Sequence, residues 1–355
     1  FSGAISKILL SEDSKEPEEG DLVNVFDSRN LFLGTGHFGT SSIAVRILSF
    51  EDSLIDASLF EKKFNSAVKL RTELRLLNQE ETTCFRLIHA EGDGLPGLII
   101  DIYNDVAVVQ AHSVGMANAL SDIAAALKAV LKNKLKAIYT KSSQTLPKHF
   151  ASKFPDGYLW KVDSKKESKE LVKENNLSFE IDWVDGQKTG FFIDQRENRK
   201  TLQKYCLNKT VLNTFCYSGG FSVYALAAGA KTVYSVDSSA KAIELTNRNI
   251  ALNFPKQKNH TAVVQDTFSF LNASEDNYDV IILDPPAYAK SKSAKHNAIQ
   301  GYRRLNERAL KMINSGGILF TFSCSQIIHR KLFEDTITAA AIDAGRSVRI
   351  IEHLS

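Results

Sequence analysis

The sequence predicts an α/β protein whose carboxy-terminal half is an open, mostly parallel sheet, preceded by two smaller units. Three observations predict it. In Val211–Phe221 a short apolar run reads as a buried parallel strand, the pair Gly219-Gly220 marks a tight turn, and Phe221–Ala230 then reads as helix. Downstream, four apolar runs end on polar or reactive residues: Thr232–Val236 on Asp237, Thr261–Gln265 on Asp266, Tyr278–Leu283 on Asp284-Pro285-Pro286, and Gly317–Phe322 on Ser323-Cys324-Ser325. The amino-terminal residues instead show short, Gly-punctuated strand patterns. Open α/β sheets bind ligands at the carboxyl ends of their strands, and a merely structural sheet does not need four polar strand ends in a row.

The turn and its acids narrow the ligand. A dinucleotide site wants three glycines in G-x-G-x-x-G so that backbone can approach a pyrophosphate; here Tyr217 and Ser218 occupy turn positions and Gly219-Gly220 supplies the permissive backbone. Asp237 is placed to accept bonds from ribose hydroxyls and Asp266 to meet an adenine amino group. A nucleoside cofactor without a pyrophosphate fits better. This is the ordering of a class I S-adenosylmethionine-dependent methyltransferase, which it resembles, with a Rossmann-like, mostly parallel sheet.

With 355 residues, 43% hydrophobic and 24% charged, the chain has room for two or three domains. The net charge of +3 permits a nucleic-acid partner without arguing for one. Cys84, Cys206, Cys216 and Cys324 are far apart, with no C-x-x-C pair and no His cluster at zinc spacing, which argues against a disulfide framework and a structural metal. The opening Phe1-Ser2-Gly3-Ala4-Ile5 lacks a signal-peptide layout, and no apolar run is long enough for a bilayer, so a cytoplasmic protein without a membrane partner is expected.

Taken in order, residues 1–55 read as a small barrel: Gly20–Phe26 is a turn with alternation, Asp27–Asn30 a turn cluster, and Leu31–Phe38 and Ser42–Leu48 further strands. Residues 56–78 form an amphipathic connecting helix, with Leu59, Phe60, Phe64, Ala67, Val68 and Leu74 apolar among charges. Residues 79–175 fit a central α+β domain: strands Phe85–Ala90, Leu98–Tyr103, Val106–Ala111 and Lys136–Thr140, with a helix over Ala117–Leu131. The polar, Lys-rich stretch Ser142–Lys173 is expected to be a solvated loop. Residues 176–355 hold the catalytic sheet, entered through the strand Leu177–Val184 and a helix over Asn198–Tyr205. A sixth strand is expected at Val348–Glu352; a seventh, antiparallel strand normally follows in this fold and is expected to be absent.

Longer motifs sharpen the resemblance. Phe1-Ser2-Gly3-Ala4-Ile5, Gly20-Asp21-Leu22-Val23 and Leu33-Gly34-Thr35-Gly36 resemble the start of a PUA domain, an RNA-binding barrel, with a few residues before Phe1 expected to be missing. Ala90–Gly97, Lys188–Arg196 and Thr321–Ser325, with Asp284-Pro285-Pro286, are similar to the bacterial large-subunit ribosomal RNA methyltransferase I family across essentially the whole chain. That resemblance implies S-adenosyl-L-methionine as cofactor, 23S rRNA or a large-subunit precursor as partner, and 5-methylcytidine as product; a homodimer is among the assemblies open to it.

Carbon C5 of cytosine is too weak a nucleophile to take a methyl group directly, so the reaction needs an activated cysteine to add at C6. Cys324, at a strand end between two serines, is the candidate, and Asp284 the group that holds the base edge. A free thiol has a pKa of about 8.5, so the site must activate it. Two-cysteine enzymes of this chemistry place a second Cys after the Pro of the Asp-Pro motif; here Ala287 follows Pro286, and the base taking the C5 proton is unassigned. Phe215, Tyr217, Ser218, Gly219, Asp237, Asp266 and Asp284 are the expected cofactor contacts, with Gln195 and Arg196 toward its methionine end. Lys290, Lys292, Lys295, Arg303 and Arg304, with Tyr288 and Tyr302 among them, are expected to contact RNA phosphates and stack on a base. Competing readings are methylation of uridine C5 or of a guanine or adenine amino group, and a non-catalytic RNA-binding assembly factor.

Overall fold

The computed structural model describes residues 8–9, 15–77, 79–162, 169–289 and 291–354. It divides into two compact units, Phe1–Asn176 with Ile181–Ile193, and Leu177–Glu180 with Asp194–Ser355. Among the described residues no helix is long and apolar enough to cross a membrane.

The first unit begins with β1 (Leu22–Phe26), β2 (Phe32–Phe38) and β3 (Val45–Ser49), an antiparallel sheet in that order. Asp27 closes the first turn, its carboxylate accepting the amides of Arg29 and Leu31 at 2.8 Å each. A side chain at Gly36 would overlap the Arg46 carbonyl on the neighbouring strand, so the close approach of β2 and β3 needs glycine there. Asp56 then caps α1 (Ala57–Glu73), which buries Phe60, Phe64 and Ala67.

The central sheet has the order β4-β5-β6-β7-β8. Its elements are β4 (Cys84–His89), β5 (Leu98–Tyr103), β6 (Val106–Ala111), α2 (Val114–Asn118), α3 (Leu120–Leu131), β7 (Ala137–Thr140), α4 (Lys148–Ala151) and β8 (Gly157–Lys161). Phe60 and Phe64 of α1 and Ile123 and Leu127 of α3 share one core with Leu87, Ile100 and Val109 of the sheet. The stretch expected to be a solvated loop is therefore structured in part: Gly157, Tyr158, Trp160 and Lys161 pair β8 with β7, and Leu159 and Trp160 pack on that core. Flanking lysines masked those apolar residues in a composition-based reading. A two-stranded sheet of β9 (Lys169–Glu174) and β10 (Leu177–Asp182) follows.

A buried carboxylate organises the end of this unit. Asp101, fully inaccessible, holds Arg86 through bonds of 2.8 and 3.0 Å and accepts Thr189 Oγ1 at 2.7 Å. Tyr103 meets the same hydroxyl at 2.9 Å. The motif Lys188–Phe192 is thus anchored by paired polar groups, as a buried charge requires.

The second unit contains α5 (Arg196–Leu202), β11 (Thr210–Thr214), α6 (Gly220–Ala227), β12 (Thr232–Asp237), α7 (Ala240–Asn253), β13 (His260–Val264), α8 (Thr267–Ala273), β14 (Tyr278–Leu283), α9 (Lys295–Met312), β15 (Ile313–Thr321) and α10 (Arg330–Asp343). The sheet order is β13-β12-β11-β14-β15, and every pairing is parallel. Such a sheet is covered on both faces: Leu212, Ile281 and Leu283 enter one core with α9 and α10, Val211, Val280 and Ile282 another with α5 and α6. The register pairs Thr214 with Val236 and with Leu283, and Leu283 with Thr321. Phe215, Asp237, Asp284 and Phe322 therefore leave the sheet along one edge. The strand expected at Val348–Glu352 does not form; that stretch has no regular structure, because β-branched residues alone do not make a strand without a ladder partner.

Candidate active site

The turn after β11 is strained where a ligand would lie. Phe215 has φ +53°, Tyr217 +46° and Gly219 +74°, so two aromatic residues occupy the left-handed region that favours glycine. Conformations of this kind persist only where surroundings over-determine them, and they concentrate at ligand sites. Here α7 supplies the restraint: Thr246 Oγ1 donates to the Tyr217 carbonyl at 2.9 Å and Asn249 Nδ2 to the Ser218 carbonyl at 2.9 Å. A side chain at Gly219 would come within 2.7 Å of Thr246 Cγ2. Ser218 and Cys216 are both buried, and burial pushes the Cys216 thiol up to about 12. Cys216 is a packing residue, as is Cys206, raised to about 12 for the same reason.

At the end of β12, Asp237 is tied to this turn. Its Oδ2 accepts the Tyr217 amide at 3.0 Å and its Oδ1 the Ser239 amide at 2.9 Å. Each oxygen keeps capacity for a second donor, so the carboxylate can also receive ribose hydroxyls. Asp266, exposed after β13, caps α8 by accepting the Ser269 amide at 2.9 Å on Oδ1. Its other oxygen makes no hydrogen bond to the described residues, and an adenine amino group is a donor of the right kind.

Asp284 follows β14. Burial above all, then the nearby Asp194 carboxylate, raises its pKa from 3.8 to about 7, against the opposing pull of Arg199. Gln195 Nε2 donates to its Oδ2 at 3.4 Å, and Asn198 Nδ2 donates to Gln195 Oε1 at 2.7 Å. Gln195, expected at the methionine end of the cofactor, thus reaches the acid at the end of β14. Arg196 is buried at the start of α5.

The turn after β15 completes the edge. Of the four thiols, Cys324 is the exposed one, and its Sγ lies 3.6 Å from the Pro285 carbonyl, next to Asp284. Ser325 staples the two loops together: its Oγ accepts the Ala289 amide at 3.3 Å and lies 3.0 Å from the Tyr302 hydroxyl. Tyr302 is consequently a core residue, 1% exposed, and not a platform for an RNA base. Its ring lies 4.7 Å from that of Tyr288, which stays partly accessible. Helical periodicity explains the correction, since Tyr302 stands on the face of α9 that carries Leu305 and Ala309 into the core.

Among the basic residues, Lys290 lies outside the described residues, and Lys292 begins the turn before α9. Arg303 grips Asp343 of α10 through both carboxylate oxygens, while Arg304 is exposed and Lys295 half-exposed. Thr246, Asn249, Asn198 and Ser325 are site residues the sequence reading missed. Only Asn198 had a local signal, its spacing of three from Gln195 on one helical face.

These features define a class I S-adenosylmethionine-dependent methyltransferase. The turn, the Asp237 carboxylate and the acid at Asp266 fit the turn-bound moiety, ribose and adenine of that cofactor. Comparison with known proteins agrees: the S-adenosylmethionine-dependent methyltransferase family matches residues 87–354, and a PUA-like domain residues 1–50. Ribosomal RNA large subunit methyltransferase I of Pseudoalteromonas translucida is 35% identical over 360 residues, spanning 100% of this chain and 88% of that protein. A solved structure from Streptococcus mutans is 25% identical with TM-score 0.79, covering 92% of this chain and 83% of that one. A second solved structure, complexed with SAH, matches equally well, at 25% and 0.79, over 91% and 82%. The chain belongs to the ribosomal RNA large subunit methyltransferase I family, and S-adenosylmethionine is its cofactor.

Proposed function

We propose that the protein methylates C5 of a cytidine in large-subunit ribosomal RNA, with Cys324 as nucleophile and Asp284 as the acid that serves the base. The RNA class is that named for its relatives. The observation that carries the chemistry is the exposed Cys324 thiol set 3.6 Å from the Pro285 carbonyl, beside a carboxyl group held near neutrality.

S-adenosylmethionine supplies, when bound, a methyl group on positively charged sulfur. The Cys324 thiolate adds to C6, and the C5–C6 π electrons become available at C5 as Asp284 gives its proton to N3. An acid with a pKa near the working pH can both give and recover that proton. C5 takes the methyl group, a base removes the C5 proton, the double bond reforms and Sγ departs as thiolate. The base-stacking surface is reduced to Tyr288, while Lys295 and Arg304 face the RNA phosphates. Residues 1–55, as a PUA-like domain, supply a second RNA contact.

Cytidine C5 chemistry has a direct test. RNA carrying 5-fluorocytidine at the target should trap the wild type covalently, because fluorine cannot leave as a proton does. Cys324→Ala should form no adduct and lose turnover by at least about 10⁴-fold, as expected for a missing covalent nucleophile, while binding SAH normally. A fully active Cys324→Ala protein would refute the mechanism and favour methylation of an exocyclic amino group.

A further inference from the structure

We propose that Asn198 and Gln195 form a positioning relay that fixes which oxygen of Asp284 carries its proton. The inference deepens the proposed function, resting on Asp284 as the acid that serves the base. Asn198 is 2% exposed and donates Nδ2 to Gln195 Oε1 at 2.7 Å. An amide whose oxygen is so engaged presents its NH₂ in the other direction, and Gln195 Nε2 donates to Asp284 Oδ2 at 3.4 Å. A carboxyl oxygen receiving an N–H along that line cannot aim its own hydroxyl back along it. A neutral carboxyl group accepts better at its carbonyl oxygen than at its hydroxyl, so the N–H on Oδ2 favours the proton on Oδ1, which makes no hydrogen bond to the described residues and is left for the substrate.

The charged and titratable groups facing Asp284 are Asp194 beside the relay, Arg199 on α5 and the Cys324 thiol on Pro285. Asp194 and Arg199 act in opposite senses on how tightly the proton is held. The relay differs from both in setting where the proton lies.

The amide can be turned round by one substitution. In Asn198→Asp the new carboxylate only accepts, so Gln195 turns its NH₂ toward residue 198 and its oxygen toward Asp284. The Asp284 proton is then drawn onto Oδ2 and withheld from the substrate. NMR titration of ¹³C-carboxyl-labelled aspartates in the intact protein, without RNA, reads the result directly. The midpoint of Asp284 should rise by about one unit, a tenfold tighter hold on the proton, and single-turnover methylation at pH 7 and saturating S-adenosylmethionine should fall by a similar factor.

Asn198→Asp also adds a negative charge, and Gln195→Met separates the two effects. Alone, it removes the donor to Oδ2 and should raise the Asp284 midpoint. In the double variant the further rise from Asn198→Asp should shrink to the charge contribution. If the rise is the same with and without the Gln195 amide, or if Gln195→Met leaves the midpoint unmoved, the relay is overturned. Absence of a 5-fluorocytidine adduct would instead overturn the functional reading and leave the titration result standing.

Discussion

Replacing Gly219 with alanine tests whether the strained turn is a built cofactor cradle. At φ +74° an L side chain incurs about 1–2 kcal/mol of left-handed strain. Its Cβ would also lie 2.7 Å from Thr246 Cγ2 and 3.0 Å from Thr246 Oγ1, so α7 or the turn must give way. Moving Thr246 loses its 2.9 Å bond to the Tyr217 carbonyl, a neutral hydrogen bond worth about 1 kcal/mol net. Together these come to about 2–3 kcal/mol. If the variant's turn relaxes without ligand and must be restored on binding, SAH affinity falls by about 30- to 150-fold at 1.4 kcal/mol per decade.

Isothermal titration of SAH measures that loss, and a second substitution identifies its source. Thr246→Ser removes the clashing Cγ2 and keeps the hydroxyl. The double variant should therefore recover several-fold of the affinity lost in Gly219→Ala, whereas Thr246→Ser alone should be nearly neutral. Coupling of this kind is expected of residues in contact and absent between independent sites. Unchanged affinity in Gly219→Ala, or strictly additive effects in the pair, would show that the turn carries no cofactor-relevant strain.

Other expectations follow from the same edge of the sheet. Asp237→Ala removes the acceptor of the Tyr217 and Ser239 amides; if the same carboxylate receives the ribose hydroxyls, calorimetry should show a loss of about 1.5–3 kcal/mol in SAH binding, the range for bonds to a charged group. Replacing Lys295 and Arg304 should flatten the log–log salt dependence of RNA binding by about 0.7–0.9 per lost contact, while Arg303→Ala, already committed to Asp343, should leave the slope alone. Because the folded-state pKa of Asp284 is raised from 3.8 to about 7, its protonated form adds stability that is full below pH 3.8 and lost as pH rises through 7. Denaturation of wild type against Asp284→Asn should show that difference shrinking across this window; a difference independent of pH would mean the acid is not desolvated.

The parallel sheet was legible because its strands are buried on both faces and read as continuous apolar runs, each closed by a polar residue where the ligand edge begins. Leu98–Tyr103 and Val106–Ala111 in the central unit coincide with the observed strands for the same reason: burial leaves little choice of residue. The polar stretch after Ser142 was not legible. Its strand β8 contributes five half-buried residues, the last of them Lys161, and what makes it a strand is pairing with β7, a tertiary fact. Tyr302 and Arg303 show the same limit in the site. Both lie in a basic, aromatic-looking run, yet one faces the core and the other a neighbouring helix, and helical phase decides this where composition cannot.

The site's acids were legible as residue types while their partners were not, because the partners come from elements distant in sequence. Asp237 was visible as a strand-end carboxylate, but its hold on the Tyr217 amide depends on the parallel register of β11 with β12. Asp284 was visible in Asp-Pro-Pro, but its raised pKa arises from burial and from Asp194, which precedes the whole parallel sheet in the chain. The same separation explains why Ser323-Cys324-Ser325 looked symmetrical in sequence and is not so in space. Ser325 is turned inward to the Ala289 amide and the Tyr302 hydroxyl, which fixes the backbone on one side of Cys324 and leaves the thiol outward at the Pro285 carbonyl. The nucleophile proposed here must be accessible and still held in place, and burying its neighbour meets both demands at one turn.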